Sequence, residues 1–376
     1  MSVVAFQTRA RTIDHLGRGQ INEYPTAVSE LWKNAYDAYA TKVALEIFDG
    51  HTPIAAMTDD GHGMDYEEFL TKWLVVGTEG KVTGTQTSKE DRNGLPDRER
   101  QGEKGIGRLS VAFLGPTVFV ISKRKDKPFV GGLVDWRLFE NPFLLLGDIQ
   151  VPVEHFKNKN ELAAKLPAMF KSLGDSLEGN DEDEEQQERL KSAWLKYSAI
   201  QKKNKVLDTA EAIQETVANG QKLSDALINR CLDRWTVWSG EASHGTALFI
   251  LDANHELGVW VKPEVFDEDP EATTAKKSLQ ETLIGFVDPY IESPTEFAYF
   301  VTVHKGDKPR NIVSSSTIFS WGELRALEHL VEGKVDENGV FKGRVKAFGR
   351  DLGEVIITPP DRPVPTSARS VVGPFD

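Results

Sequence analysis

Apolar residues recur along this chain in two rhythms, and the switches between them mark out its elements. Over residues 30–38 the period is helical. Leu31, Ala35 and Ala38 form an apolar stripe, while Glu30, Asn34 and Asp37, at i, i+4 and i+7, share the neighbouring face. Tyr24-Pro25-Thr26 precedes this helix, with Thr26 or Ser29 as its expected cap. Apolar and polar residues then alternate over 42–48, which predicts a strand, followed by the turn signal Asp49-Gly50 and a second strand over 54–58. Residues 65–75 read as a helix with Phe69, Leu70, Trp73 and Leu74 on one side, ended by Gly77 to Lys81. Residues 82–100 are polar and offer little to bury, the pattern of a mobile loop. A helix is expected over 105–114 and strands over 117–122 and 129–134. Gly131-Gly132 in the last of these marks a bulge or close packing. The basic run from Lys123 to Lys127 between these strands reads as a solvated hairpin turn.

The pattern changes again over 161–235, which is rich in Glu, Lys, Gln, Ala and Leu and predicts two or more helices. The acidic run from Asn180 to Glu185 suits the start of a long helix, where the dipole favours negative charge. His244-Gly245-Thr246 leads into an apolar strand. Further on, 297–303 reads as a strand, 321–330 as a short helix, and Asn338-Gly339 as a hairpin turn, with another strand at 355–357. The chain closes on a proline-rich tail after Thr358, which suggests the N-terminal part of a longer protein.

Composition narrows the class. The chain has 376 residues, enough for two domains, and its 39% hydrophobic content suits a soluble globular core. No apolar run approaches the roughly 18 residues that span a membrane, and the N-terminus lacks a secretory pattern. Cys231 is the only cysteine, which excludes an intrachain disulfide and a cysteine-based zinc site and fits a reducing cytoplasm. The net charge of −13 argues against broad phosphate-driven binding to nucleic acid, though not against a local basic patch.

Three stretches carry candidate chemistry: the helix with Glu30, Asn34 and Asp37; Asp59-Asp60-Gly61-His62-Gly63-Met64; and Gly102-Glu103-Lys104-Gly105-Ile106-Gly107. Two carboxylates and an amide beside a buried helix edge are costly to desolvate unless something polar meets them. A hydrated metal and a nucleotide would do so. In this order, with a polar segment between the second and third, the stretches resemble the nucleotide-binding boxes of the GHKL superfamily (gyrase, HtpG-type chaperones, sensor histidine kinases and MutL), closest to chaperone- or MORC-like ATPases. There is no Gly-x-x-x-x-Gly-Lys-Ser/Thr stretch, and the glycine spacing of 102–107 is wrong for a dinucleotide fingerprint.

The resemblance implies an α+β fold. A Bergerat-type α/β sandwich over 1–260 would carry a helical insertion at about 155–238 and be followed by a smaller, mixed α/β, transducer-like region over 261–376. It implies ATP and Mg²⁺ as ligands. Asp59 would accept a hydrogen bond from the adenine amine, with Gly61, Gly63 and Met64 shaping the turn beside it, while Asp60 receives no role. Asn34 would offer an oxygen to Mg²⁺, Glu30 would act as general base or orient the attacking water, and Asp37 would organise the site. Gly102, Gly105, Ile106 and Gly107 would bring backbone amides to phosphate, and Lys81 and Lys104 are candidate phosphate contacts. Residues 82–100 would form an ATP lid. His15 sits in no convincing phosphoacceptor context, and Glu30 in Glu-x-x-x-Asn is the hydrolase form, so a histidine kinase is disfavoured. The expected behaviour is a slow cytoplasmic ATPase acting as an ATP-gated homodimeric clamp on an unknown protein client, with Lys305, Lys342 or Lys346 as candidate activating cations. The alternatives are a non-hydrolysing ATP sensor and a DNA-associated gyrase- or MutL-like ATPase.

Overall fold

A computed structural model describes residues 7–50, 52–76, 87–98, 100–102, 107–179, 184–253, 257, 270–283, 297–305, 308–314 and 327–358. After a short α1 (Arg11–Leu16), the first predicted helix is α2, longer than its apolar pattern alone indicated (Tyr24–Asp37). Neither Thr26 nor Ser29 caps it. The N-cap is Glu23, which makes no side-chain cap bond, and Pro25 lies in the first turn, where its fixed φ suits the helix and its missing N–H costs nothing. Val28, Leu31, Trp32 and Ala35 are its buried face.

The predicted strands are present as β1 (Lys42–Phe48), β2 (Ile54–Asp59), β3 (Thr117–Lys123) and β4 (Phe129–Asp135). A Cβ on Gly131 would come within 2.8 Å of the Phe119 ring and one on Gly132 within 2.9 Å of Phe69, so the paired glycines mark close packing. The helix expected over 65–75 is only partly α-helical. A reciprocal capping box between Asp65 and Glu68 opens α3 (Tyr66–Glu68), which widens into a π-type turn at Phe69–Trp73, with buried Phe69 stacked on Trp73. The next predicted helix is a tight turn, Gly107–Ser110, leading to α4 (Val111–Leu114).

With β5 (Val153–Phe156), β6 (Gly245–Leu251), β7 (Ala298–Lys305) and β8 (Lys308–Ser314) these strands form one sheet, ordered β5-β4-β3-β6-β2-β1-β7-β8. Only the β1–β7 pairing is parallel. The Gly245-Thr246 strand therefore enters the centre of the sheet, between β3 and β2. One face meets α2, whose Trp32 indole donates to Met57 Sδ and packs on the Tyr299 ring.

The helical insertion lies against the opposite face through α5 (Lys159–Glu178), α8 (Gly220–Ala226) and α9 (Thr236–Ser239), while α6 (Glu184–Asn204) and α7 (Thr209–Ala218) pack on α5. Leu162, Phe170, Leu173, Leu227 and Trp235 pack there with Ile54, Phe119, Phe156 and Phe249 of the sheet. Each large side chain buried in this way contributes about 1.5–3 kcal/mol, so the insertion is a structural layer of the fold. The result is an α+β sandwich of the expected class, with helices on both faces of a largely antiparallel sheet.

The expected boundary at residue 260 is corrected. β7 and β8, assigned from sequence to a following region, pair into the main sheet, and one unit comprises 1–286 and 296–315. The parallel β1–β7 contact joins strands about 250 residues apart, which no local pattern announces. The other unit, 287–295 and 316–376, holds a three-stranded antiparallel sheet of β9 (His329–Val335), β10 (Phe341–Ala347) and β11 (Arg350–Ile357). Asp336 accepts from the Asn338 and Val340 amides and shapes the predicted Asn-Gly turn. Leu330 lies in β9 rather than in a helix. The proline-rich segment after residue 358 lies outside the described residues.

Candidate functional site

The polar face of α2 is the spine of the site. The Asp37 carboxylate accepts from two consecutive backbone amides of the third glycine stretch, Gln101 N at 2.8 Å and Gly102 N at 3.0 Å. One and two turns earlier on α2, Gly107 seats against the helix. A Cβ there would lie 3.1 Å from Glu30 Oε2 and 3.5 Å from Asn34 Nδ2. A side chain there would press on the Glu30 carboxylate, so glycine lets the backbone sit close to both groups. Glu30 Oε1 pairs with Lys33 at 2.6 Å, leaving Oε2 on the Gly107 side. Among the described residues, buried Asn34 Nδ2 has no hydrogen-bond partner. A buried amide left in this way is rare in native proteins and calls for a polar group to meet it.

The second box sits at the C-terminal end of α2. Asp59 ends β2, and its Oδ1 accepts from Gly61 N at 2.8 Å and from Thr246 N at 3.2 Å. Burial pushes this carboxyl up to about 7; the two amide bonds oppose that rise and the neighbouring Asp60 charge adds to it. Gly61 packs on Ala38, where a Cβ would approach the Ala38 side chain and carbonyl to 2.9 Å. Gly63 has a left-handed φ of +63°, and a Cβ would fall 2.0 Å from the Lys123 carbonyl oxygen. The Met64 amide donates to Ser122 Oγ at 2.8 Å, and that hydroxyl also meets Thr246 Oγ1 at 2.9 Å. The turn is thus clamped to β3 and β6. Asp60 faces away, accepting from the Thr41 and Lys42 amides and the Thr41 hydroxyl at the start of β1.

Three contributors carried no signal in the sequence. Trp235, on the insertion, donates its indole N–H to the Asp59 carbonyl at 3.0 Å. Ser122 looks like any polar residue in a strand. Arg98 stacks on Tyr36 with its guanidinium carbon 4.5 Å from the ring centroid and donates to the Ala40 carbonyl at 2.8 Å. Tyr39 donates to Asp97, and Arg124 pairs with Asp91. Residues 87–98 are anchored by specific aromatic and ionic contacts although none of them is buried, as their polar composition led one to expect; residues 82–86 and 99 lie outside the described residues. Lys81, Lys104, Gly105 and Ile106 lie outside the described residues. In the second unit, Lys342 pairs with Asp336 and Lys346 with Glu332, at 3.6 Å each.

Residues 22–138 match the family model of histidine kinase-, DNA gyrase B- and HSP90-like ATPases. A putative type II restriction enzyme, HgiDII of Herpetosiphon aurantiacus, is 30% identical over 31% of this chain and 18% of its own length. The DNA mismatch repair protein MutL of Pelobacter propionicus is 31% identical over 30% of this chain and 17% of its own. MutL of Treponema pallidum is 32% identical over 27% of this chain and 15% of its own. The matched segment thus spans less than a fifth of each of these relatives. The crystal structure of the N-terminal domain of a DNA repair protein covers 89% of this chain and 70% of its own, at 14% identity and a TM-score of 0.38, too distant to add to the family match. The segment that holds α2 and the glycine boxes is of the GHKL superfamily, and the family supports ATP binding.

Proposed function

We propose that this GHKL domain binds Mg-ATP along α2 and hydrolyses it. The observation that carries the reading is the convergence on one helix face of Glu30, the unsatisfied Asn34 amide and the Gly107 backbone. From Ala38, against which the Asp59 turn packs, to Glu30 the helix rises about 12 Å. That span suits a nucleoside triphosphate laid along the helix, with its base at the C-terminal end.

Each residue then has a task. Asp59 accepts from the exocyclic amine of adenine, which relieves a carboxylate held in an enclosed, unfavourable position. Guanine presents a carbonyl at the corresponding position and is rejected. Asp37 tethers the start of the phosphate loop through two amides. Gly102 and Gly107 keep the backbone close enough for its N–H groups to reach phosphate oxygens. The orphaned Asn34 amide fits a metal-bearing site, because its side-chain oxygen is a hard neutral ligand and its nitrogen is free to meet phosphate. Mg²⁺ bound there with the phosphates would neutralise charge as the terminal phosphoryl group leaves. Glu30 Oε2 orients the attacking water and takes its proton, while Lys33 fixes Oε1. Lys81 and Lys104 remain candidate phosphate contacts. The proposed cycle is an ATP-gated homodimeric clamp on an unidentified client.

ATP turnover measured across protein concentrations, beside Glu30→Ala, tests this reading. Turnover per molecule should rise with concentration and vanish in the variant while ATP binding persists. Binding without turnover in the full-length protein would leave the non-hydrolysing sensor. The MutL and restriction-enzyme relatives favour a DNA-associated setting over a chaperone. In that setting, ATP-loaded protein should retain duplex DNA with a salt-dependent affinity. Salt-independent or absent retention would reject it.

A further inference from the structure

A separate cavity of about 510 Å³ lies in the first unit, within the size range of small-molecule sites. Its walls are apolar, with Trp73, Val75, Leu109, Trp136 and Phe139 prominent, and one charged residue, Arg108, completes the lining. Arg108 Nη2 donates to the Val75 carbonyl oxygen, while among the described residues its buried Nε has no partner and no carboxylate pairs with the guanidinium. Burial lowers its pKa with nothing to oppose the fall. Arg108 is half-buried, so part of its charge is withdrawn from water without a counter-charge, and an arginine does not escape that cost by losing its proton. Trp136, only 5% exposed, adds a second buried donor without a partner, its indole N–H. Two orphaned donors around one apolar space call for a ligand that is apolar along its length and anionic at one end. The planar guanidinium matches a carboxylate in two-point geometry.

We propose that this cavity binds an amphiphilic carboxylate of the medium-chain fatty-acid type, with its carboxylate on Arg108 and its chain among Trp73, Leu109, Trp136 and Phe139. The cavity joins the two ends of the nucleotide machinery. Val75 closely precedes the first lid residues, and Arg108 directly follows Gly107, which seats on Glu30 and Asn34. The carboxylate site is therefore placed to report to the nucleotide site, yet the inference rests on the cavity alone and stands or falls apart from ATP hydrolysis.

Trp73 and Trp136 line the space, so the test is a tryptophan-fluorescence and calorimetric titration of the full chain with decanoate, kept below its micellar concentration. 1-Decanol and decyltrimethylammonium serve as neutral and cationic comparisons. Decanoate should bind at least tenfold more tightly than 1-decanol, and decyltrimethylammonium should not bind. Across octanoate, nonanoate and decanoate the affinity should rise about fourfold per added methylene. Arg108→Met should abolish the preference for decanoate while keeping 1-decanol binding, with thermal melting confirming that it folds. Equal binding of acid and alcohol to the native chain overturns the proposal, as does no binding by either. Because that comparison uses the unaltered protein, it decides the matter even if the variant fails to fold.

Discussion

Asp37 offers the sharpest test of whether α2 positions the phosphate loop. Its two oxygens accept from Gln101 N at 2.8 Å and Gly102 N at 3.0 Å. A hydrogen bond to a charged group contributes about 1.5–3 kcal/mol. The Gln101 amide lies near solvent, so water recovers part of that, and a loss of about 2 kcal/mol for the pair is a fair expectation. At 1.4 kcal/mol per factor of ten, Asp37→Ala should weaken ATP binding about 30-fold. Asp37→Asn keeps one acceptor oxygen but turns an amide donor toward the second N–H, so it should lose about tenfold or more. The bonds fasten a surface loop rather than the core, so the melting temperature should fall by no more than about 4 °C. Calorimetric titration with ATP on chains whose melting has been checked gives both numbers. An ATP affinity within threefold of the native value in Asp37→Ala would refute the reasoning, because the loop would then be positioned without α2.

Three further outcomes follow from the geometry. Gly63→Ala should destabilise the fold by about 3 kcal/mol or more, since it combines a left-handed φ with a Cβ 2.0 Å from a carbonyl oxygen, as read by chemical denaturation. Asp59, raised from 3.8 to about 7, stabilises the nucleotide-free fold fully below pH 3.8, and that contribution is lost as pH rises to about 7. An adenine amine donating to the carboxylate favours its ionised form. ATP affinity should therefore increase with pH up to about 7 and level off above it, and a flat profile between pH 5.5 and 8 would contradict the assigned contact. Trp235→Ala should cost about 3–5 kcal/mol in urea denaturation and also weaken ATP binding, because the indole holds the Asp59 carbonyl. A stability loss with ATP affinity unchanged would show that the insertion does not brace the base site.

The placement of several candidate site residues was legible because it depends on local geometry. Glu30, Asn34 and Asp37 fall on one face through helical period alone, and α2 presents all three where expected. The glycines were legible as glycines, and their reasons emerged in contacts: Gly61 on Ala38, Gly63 on Lys123, Gly107 on Glu30. The anchoring of residues 87–98 was not legible, since a polar, charged segment reads as solvated until Arg98 finds the Tyr36 ring and the Ala40 carbonyl.

By itself the sequence determined the strands β1 to β4 and β6, the polar face of α2, the glycine turns and the helical character of the insertion, because each depends on periodicity or on backbone freedom within a few residues. Only the tertiary structure decided that β7 and β8 complete the first sheet, that the insertion covers its second face, and that Trp235 and Ser122 brace the Asp59 turn. Those outcomes join residues dozens to hundreds of positions apart. They are selected by which apolar surfaces and buried donors satisfy one another, and nothing in a local window records that choice.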